Sequence, residues 1–296
     1  MLNRRSMFLV ITFFCFSSIL QIAASENIDI NSIEAIEKKI EAIGAKYGAN
    51  NVLVAFDIDC TLLTQVDNFG SDIWWNWQAN LFKKNPNSPL LVSKDFEKLL
   101  YYQRMIQSYI KCYPTEKSFP ETVKRLQKDG FTLIALTARG PVARDLTEAQ
   151  LDTCKFNFDN DSLSEGFPGE YLPYNANKPE KYGLTAEEVT RFNLKNPRSV
   201  SFFNGIMMVS GQDKGIMLKT LLHKVEKKFK AIVLVDDGKM NTNNMYTVYK
   251  TSNIDVNCFR YSYDDAIKRQ FEQSNKQNVT KQWKEYKASI EEIFGK

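Results

Sequence analysis

The sequence predicts an α/β fold: a doubly wound, parallel central sheet with helices on both faces and an inserted helical cap. Three observations lead there. Three short runs are almost wholly apolar, 52–56, 131–136 and 231–235, as strands are when both faces of a parallel sheet are covered. Segments with helical apolar spacing lie between them, and that alternation builds a doubly wound sheet. Each run also stops at a residue that can do chemistry: Asp57, Thr137 and Asp236. In such sheets ligands bind beyond the carboxyl ends of the strands, where strand order reverses.

The elements follow in order. Residues 1–25 read as a cleaved secretory signal. Arg4 and Arg5 open it, 7–20 is an apolar run shorter than the ~20 residues of a spanning helix, and Ala23, Ala24 and Ser25 offer small residues for cleavage. The protein is therefore expected to be exported, periplasmic or secreted, without stable membrane insertion. Residues 26–296 form one domain. Within it, 28–47 carries Ile33, Ile36, Ile40 and Ile43 at helical spacing, and Gly48 ends the helix. The first buried strand, 52–56, comes next. Residues 64–113 read as the cap, with helices at 74–83 and 94–111 broken by Asn85-Pro86-Asn87-Ser88-Pro89. Pro120 opens a helix that ends at Gly130; a strand at 131–136 and a helix at 142–151 follow. Residues 152–200 form a second, irregular insertion, polar and rich in Asn, Pro and Gly over 156–197. Asn204-Gly205 between apolar runs at 199–203 and 206–210 predicts a tight hairpin. A helix over 214–229, a strand over 231–235 and a last strand over 256–260 complete the sheet. Two helices finish the chain, the second with Trp283, Tyr286, Ile290 and Ile293 on a docking face.

Composition sets limits on function. The chain is 43% hydrophobic and 25% charged, as an ordinary globular protein is. The formal charge is +4, and two of those charges are Arg4 and Arg5 in the leader. That balance gives no case for nucleic acid or an anionic membrane as partner. His223 is the single histidine, which argues against histidine phosphatases, His-rich zinc sites and Ser-His-Asp hydrolases. Past the leader stand Cys60, Cys112, Cys154 and Cys258. They permit disulfides in an exported protein, with the pairing of Cys112, Cys154 and Cys258 left open and Cys60 expected as a free thiol. Asn160-Asp-Ser and Asn278-Val-Thr match the glycosylation triplet.

The chemistry concentrates in Phe56-Asp57-Ile58-Asp59-Cys60-Thr61. Two carboxylates stand two apart where the chain leaves a buried strand. The first can act as a nucleophile and carry a phosphoryl group. The second can protonate a leaving oxygen and then take a proton from water. Thr61 offers a hydroxyl to hold the turn.

This stretch resembles motif one of the haloacid dehalogenase (HAD) superfamily. Leu136-Thr137-Ala138-Arg139 resembles motif two, Gln212-Asp213-Lys214-Gly215 motif three, and Leu234-Val235-Asp236-Asp237 the acidic motif four, all in family order. The resemblance implies a Rossmann-like, HAD-like domain. It implies magnesium-dependent hydrolysis of phosphate monoesters through an aspartyl-phosphate on Asp57. Asp59 serves as acid and base, Thr137 and Lys214 hold the phosphoryl oxygens, and Thr61 and Arg139 bind substrate. Asp57, the Asp59 carbonyl, Asp236 and Asp237 are the expected magnesium ligands, with Asp237 direct, through water or in support, and with Asn241 as a possible addition to the shell. Asp59 also separates phosphatases from dehalogenases, which lack that carboxylate. Lys219 rivals Lys214 as the motif-three lysine, and the loop-to-helix position favours Lys214. The Thr-Ala-Arg triplet and the leader are similar to those of the exported acid phosphatases of the superfamily, class B enzymes among them.

Trp74, Trp77 and Leu81 share a helix face of the expected cap, either as its core or as a wall for the leaving group. The substrate expected is a small phosphate ester or a phosphoprotein. Two alternatives use the same residues differently: a secreted binding or effector protein on this fold with vestigial catalysis, and a phosphotransferase or phosphomutase with a hydroxyl acceptor.

Overall fold

The computed structural model describes residues 25–159, 163 and 169–294. The expected leader, apart from Ser25, and the Asn160 triplet lie outside them.

The amino half comprises β1 (Glu26–Ile30), α1 (Ile33–Tyr47), β2 (Val52–Phe56), β3 (Leu63–Gln65), α2 (Asp72–Lys84), α3 (Phe96–Gln107), β4 (Cys112–Pro114), α4 (Phe119–Lys128) and β5 (Thr132–Thr137). There follow α5 (Arg144–Thr153), β6 (Glu170–Tyr171), α6 (Ala186–Arg191), β7 (Val200–Phe203), β8 (Ile206–Met208) and α7 (Lys214–Lys224). The carboxyl part is β9 (Ala231–Asp236), α8 (Lys239–Tyr249), β10 (Asp255–Tyr261), α9 (Asp265–Gln273) and α10 (Gln277–Phe294).

Among the described residues eight strands form one sheet in the order β1-β10-β9-β2-β5-β8-β7-β6. From β1 to β8 all neighbours are parallel; β7 and β6 add antiparallel pairs at one edge. The sheet is thus mostly parallel and α/β in character, a Rossmann-like arrangement. After β2 the chain builds toward β5 and β8, then returns to lay β9 on the other side of β2. The reversal of strand order therefore falls between β2 and β9.

Alternation along the strands explains both layers. Val52, Val54 and Phe56 pack with Val233, Val235, Leu133 and Ala135 beneath α1, α4 and α5. Leu53 and Ala55 point the other way, into a core with Ile134, Ile232, Leu234 and α7 and α8. The isoleucine stripe of α1 is buried as its spacing requires: Ile36 and Ile40 are fully inaccessible. Removing such a side chain costs about 2–5 kcal/mol. Glu37, buried beside that stripe, accepts two hydrogen bonds from Arg125 and one from Thr122, which clamps α1 to α4.

A third apolar cluster stands apart from the sheet. Phe69, Trp74 and Ile106, from the segment between β3 and β4, pack with Phe271 and Val279. Trp283 and Tyr286 of α10 close its edge. The helical insertion and the carboxyl-terminal helices thus share one small core. Trp74 is fully buried in it against Phe69, as core and not as an open wall.

Several expectations need correction. Residues 28–30 are not the start of the first helix; Ile28 and Ile30, two apart, belong to the edge strand β1. The second insertion carries the short strand β6 and, unforeseen in its weak periodicity, the helix α6. The helix from Lys214 stops at Lys224, five residues early. Ile293 does not dock but lies 71% exposed. The hairpin at Asn204-Gly205 forms between β7 and β8, with φ of 49° and 66° as a primed turn demands.

Candidate active site

The site forms at the reversal point. The Asp57 N–H donates to the Val235 carbonyl at 2.9 Å, which seats the end of β2 beside the end of β9. The chain then turns sharply. Leu63 N–H reaches back to the Ile58 carbonyl at 2.9 Å, and Cys60 N–H to Leu63 at 2.8 Å. Cys60 takes a left-handed conformation, φ 56°, which costs a non-glycine residue about 1 kcal/mol. Its thiol is free and buried.

Lys214 stands at the first turn of α7, whose cap Asp213 accepts from Ile216 N–H at 2.9 Å. Asn244 of α8 holds the other Asp213 oxygen at 2.7 Å. So placed, the Lys214 ammonium meets Asp57 Oδ1 and Asp236 Oδ2, each at 2.6 Å. Burial opposes its charge, but Asp236 and Asp57 overcome this and hold the lysine above its ordinary range. Asp236 spends its second oxygen on Gly238 N–H at 2.8 Å and Asn241 Nδ2 at 2.9 Å. Gly238 has a local reason: a Cβ there would sit 3.0 Å from Asp236 Oδ1 and 2.9 Å from Asn241 Nδ2. Asn241 therefore orients Asp236 from the next helix.

Asp57 is pushed well above the usual carboxylate range, first by burial and then by Asp236 and Asp237, against the pull of Lys214. Asp237 is raised by burial and by Asp236, with Lys268 opposing. Oxygens of Asp57, Asp236 and Asp237 all lie within 4.8 Å of one another. Hard carboxylate oxygens at this spacing suit a divalent cation such as Mg²⁺. These three carboxylates face two ammonium groups, Lys214 on Asp57 and Asp236 and Lys268 on Asp237.

Asp59 lies in different surroundings. Arg139 grips it with two hydrogen bonds, Nε to Oδ2 at 2.8 Å and NH2 to Oδ1 at 2.7 Å. The remaining guanidinium nitrogen donates to Thr147 Oγ1 at 3.0 Å and Gln150 Oε1 at 2.8 Å on α5. Burial works to raise Asp59, but the Arg139 charge and hydrogen bonds outweigh it and the carboxyl is held low. Arg139 thus faces a carboxylate of the protein, not an open pocket.

Thr137 is buried at the end of β5, where its hydroxyl accepts from Arg139 N–H at 3.1 Å. The Thr61 hydroxyl accepts from Asp237 N–H at 3.1 Å, and so ties the loop after β2 to the loop after β9. Lys219 lies elsewhere, paired to Glu188 of α6 at 2.6 Å. His223 is exposed near the end of α7.

Two residues escaped sequence reasoning. Lys268 of α9 pairs with Asp237, and no local pattern marks it. Asp72 opens α2 on the Ser71 cap. Burial, then the charges of Asp59 and Asp237, push Asp72 up to about 7. Its helix-start position was readable from the sequence, but its neighbours were not.

Among the described residues no helix is long and apolar enough to cross a membrane. No curated protein matches the chain. One family does, described as protein of unknown function (DUF2608), over residues 29–293. The match runs from β1 into α10 and takes in every residue of the site, and the chain belongs to the DUF2608 family.

Proposed function

We propose that the protein is an exported, magnesium-dependent phosphatase of the HAD type that hydrolyses phosphate monoesters through Asp57. One observation carries this reading: three carboxylates converge within 4.8 Å at the reversal of strand order, with a buried lysine bridging two of them. A scaffold has no use for such an arrangement, because buried like charges cost stability unless something is gained from them.

In this reading Asp57, Asp236 and Asp237, with the Asp59 carbonyl, would hold magnesium, which when bound would offset the charge of the phosphate against an anionic nucleophile. Asp57 attacks phosphorus and becomes the acyl phosphate. Lys214 lies against the Asp57 oxygen and fixes its direction of approach. Thr137 offers its hydroxyl proton to a phosphoryl oxygen. Asp59 gives a proton to the leaving oxygen, then takes one from the water that releases phosphate. Arg139 holds Asp59 ionised in the ligand-free site, so before it can act as an acid Asp59 must take up a proton from solvent or from the phosphate monoester, as the bound phosphate draws the guanidinium toward itself. The insertion carrying α2 and α3 serves as the cap, and it brings Asp72 to the rim of the reaction.

The test is hydrolysis of an aryl phosphate by wild type and by Asp57→Asn, with magnesium and with chelator. Wild-type turnover should need magnesium, and the substitution should lower kcat by about 10³-fold or more. A well-folded wild type inert toward several unrelated phosphate esters across pH would overturn the reading and favour a binding protein.

A further inference from the structure

We propose that Cys112 and Cys154 form a reversible disulfide that staples the exit of the helical insertion to α5, beneath the Arg139–Asp59 pair. The two sulfurs lie 3.5 Å apart, far in sequence but adjacent in space. A disulfide bond is about 2.05 Å long, so closure asks for a displacement of roughly 1.5 Å. The two residues also share a neighbour, the Gln150 carbonyl, which accepts from the Cys112 thiol at 3.8 Å and from the Cys154 backbone N–H at 3.1 Å.

Other pairings fail on topology. Cys112 and Cys154 pack in the core beneath α1, α4 and α5. Cys258 points into the core on the opposite face, with the sheet between. Cys60 is held in the turn after β2 by its own backbone hydrogen bond. Access is graded the same way: Cys112 keeps 7% of its surface open and Cys154 3%, against 1% for Cys60 and none for Cys258.

The chemistry has a natural order. The Cys112 thiol is lowered to about 7 by its contact with Cys154, against burial and with help from Arg139. Cys154 is raised by the same contact. Cys112 thiolate therefore attacks an external disulfide, breaking its S–S bond and expelling one thiol. Cys154 then loses its proton to solvent and attacks the Cys112 sulfur of the mixed disulfide, expelling the second thiol. Each cysteine is oxidised by one electron, and the external disulfide is reduced to two thiols.

The position gives the bond a consequence. Cys112 begins β4, opposite Gln65 of β3, and Gln65 lies 3.5 Å from Asp59. Cys154 directly follows α5, whose Gln150 and Thr147 hold Arg139. The bond would lock these two supports of Asp59 together. The inference stands on the thiol pair alone and does not depend on the phosphatase reading.

The experiment uses the full chain, reduced and then equilibrated in glutathione–glutathione disulfide buffers, quenched by alkylation and mapped by peptide mass. A Cys112–Cys154 linked peptide should accumulate as the buffer becomes more oxidising and vanish on reduction. Cys60 and Cys258 should be alkylated only after unfolding. Oxidised wild type should melt about 5–10 °C above reduced wild type, and Cys154→Ser should show no such difference. Because oxidised and reduced wild type are compared, the result holds even if a variant folds poorly. Both thiols remaining free throughout, or linkage through Cys60 or Cys258, would overturn the proposal.

Discussion

Asp57 and Asp59 stand two residues apart at the end of one strand, and their surroundings pull in opposite directions. Asp57 shares a single buried lysine with Asp236 and lies within reach of Asp237. Asp59 has an arginine to itself, in a two-point grip backed by Thr147 and Gln150. The first half of the site is electrostatically incomplete and is raised in pKa; the second is complete and lowered. The turn directly after β2 produces the contrast. Side chains at i and i+2 leave a strand on the same side, but the chain is already turning at Ile58, so Asp57 faces β9 while Asp59 faces α5. The difference assigns roles. A site that must accept a cation is left short of charge, whereas a site that must keep one carboxyl in place is closed by hydrogen bonds.

The largest effect should come from breaking the incomplete half. Lys214→Met leaves Asp57 and Asp236 buried together with no cation between them. Loss of one partner from a buried ion pair costs about 3–5 kcal/mol, so chemical denaturation of the metal-free variant should show a loss of that order. Saturating magnesium should recover part of it. Equal loss with and without magnesium would mean that the carboxylates do not share the ion.

The complete half should break more gently. Arg139→Leu strands Asp59, which keeps slight contact with solvent, and frees Thr147 and Gln150. A loss of about 2–3 kcal/mol is expected. Its pH dependence gives the sign. Asp59 is depressed in the folded state, so its contribution is present above its unfolded value of about 3.9 and is lost as pH falls through the lower folded value. Wild type should therefore lose stability on acidification below pH ~4, and Arg139→Leu should show a weaker loss there. An unchanged acid limb would show that Arg139 does not set the Asp59 charge.

Asp72 tests whether the incomplete half extends into the insertion. Its folded pKa is raised to about 7, against about 3.9 when unfolded. The folded form then binds the extra proton between those values, so this contribution to stability is present at low pH and fades as pH rises toward 7. Asp72→Asn should flatten the metal-free stability profile over that window. A profile identical to wild type would place Asp72 outside the field of Asp59 and Asp237.

The sequence displayed the ends of the strands and therefore most of the site. Residues 52–56 and 231–235 are legible because a strand buried on both faces has no room for polar side chains, so Asp57 and Asp236 stand out where burial relaxes. Asn204-Gly205 is legible because few residues tolerate two positive φ values. The edge strand β1 was hidden, since a half-buried strand of five residues next to a strongly periodic helix joins that helix's pattern. Lys268 and the Arg139–Asp59 grip were hidden for another reason. Each joins residues far apart in sequence, 31 and 80 positions respectively, and no local propensity encodes a contact made only by tertiary packing.

The two lysines of α7 give the smallest and most discriminating test. Lys214 and Lys219 lie five residues apart on one helix, and composition treats them alike. The turn of the helix separates them: Lys214 enters the buried site, while Lys219 leans toward α6 and meets Glu188 with 29% of its side chain exposed. An ion pair open to water to that extent is worth about 0–1 kcal/mol. Lys219→Ala should therefore shift stability by no more than that and leave any magnesium-dependent turnover within about twofold of wild type. Glu188 would remain tied into its helix, because it also accepts from Thr185 N–H in the cap of α6. A Lys219→Ala variant as impaired as Lys214→Met would mean that the whole face of α7, and not the single ammonium at its start, balances the carboxylates. The contrast between the two halves of the site would then have to be redrawn around the helix.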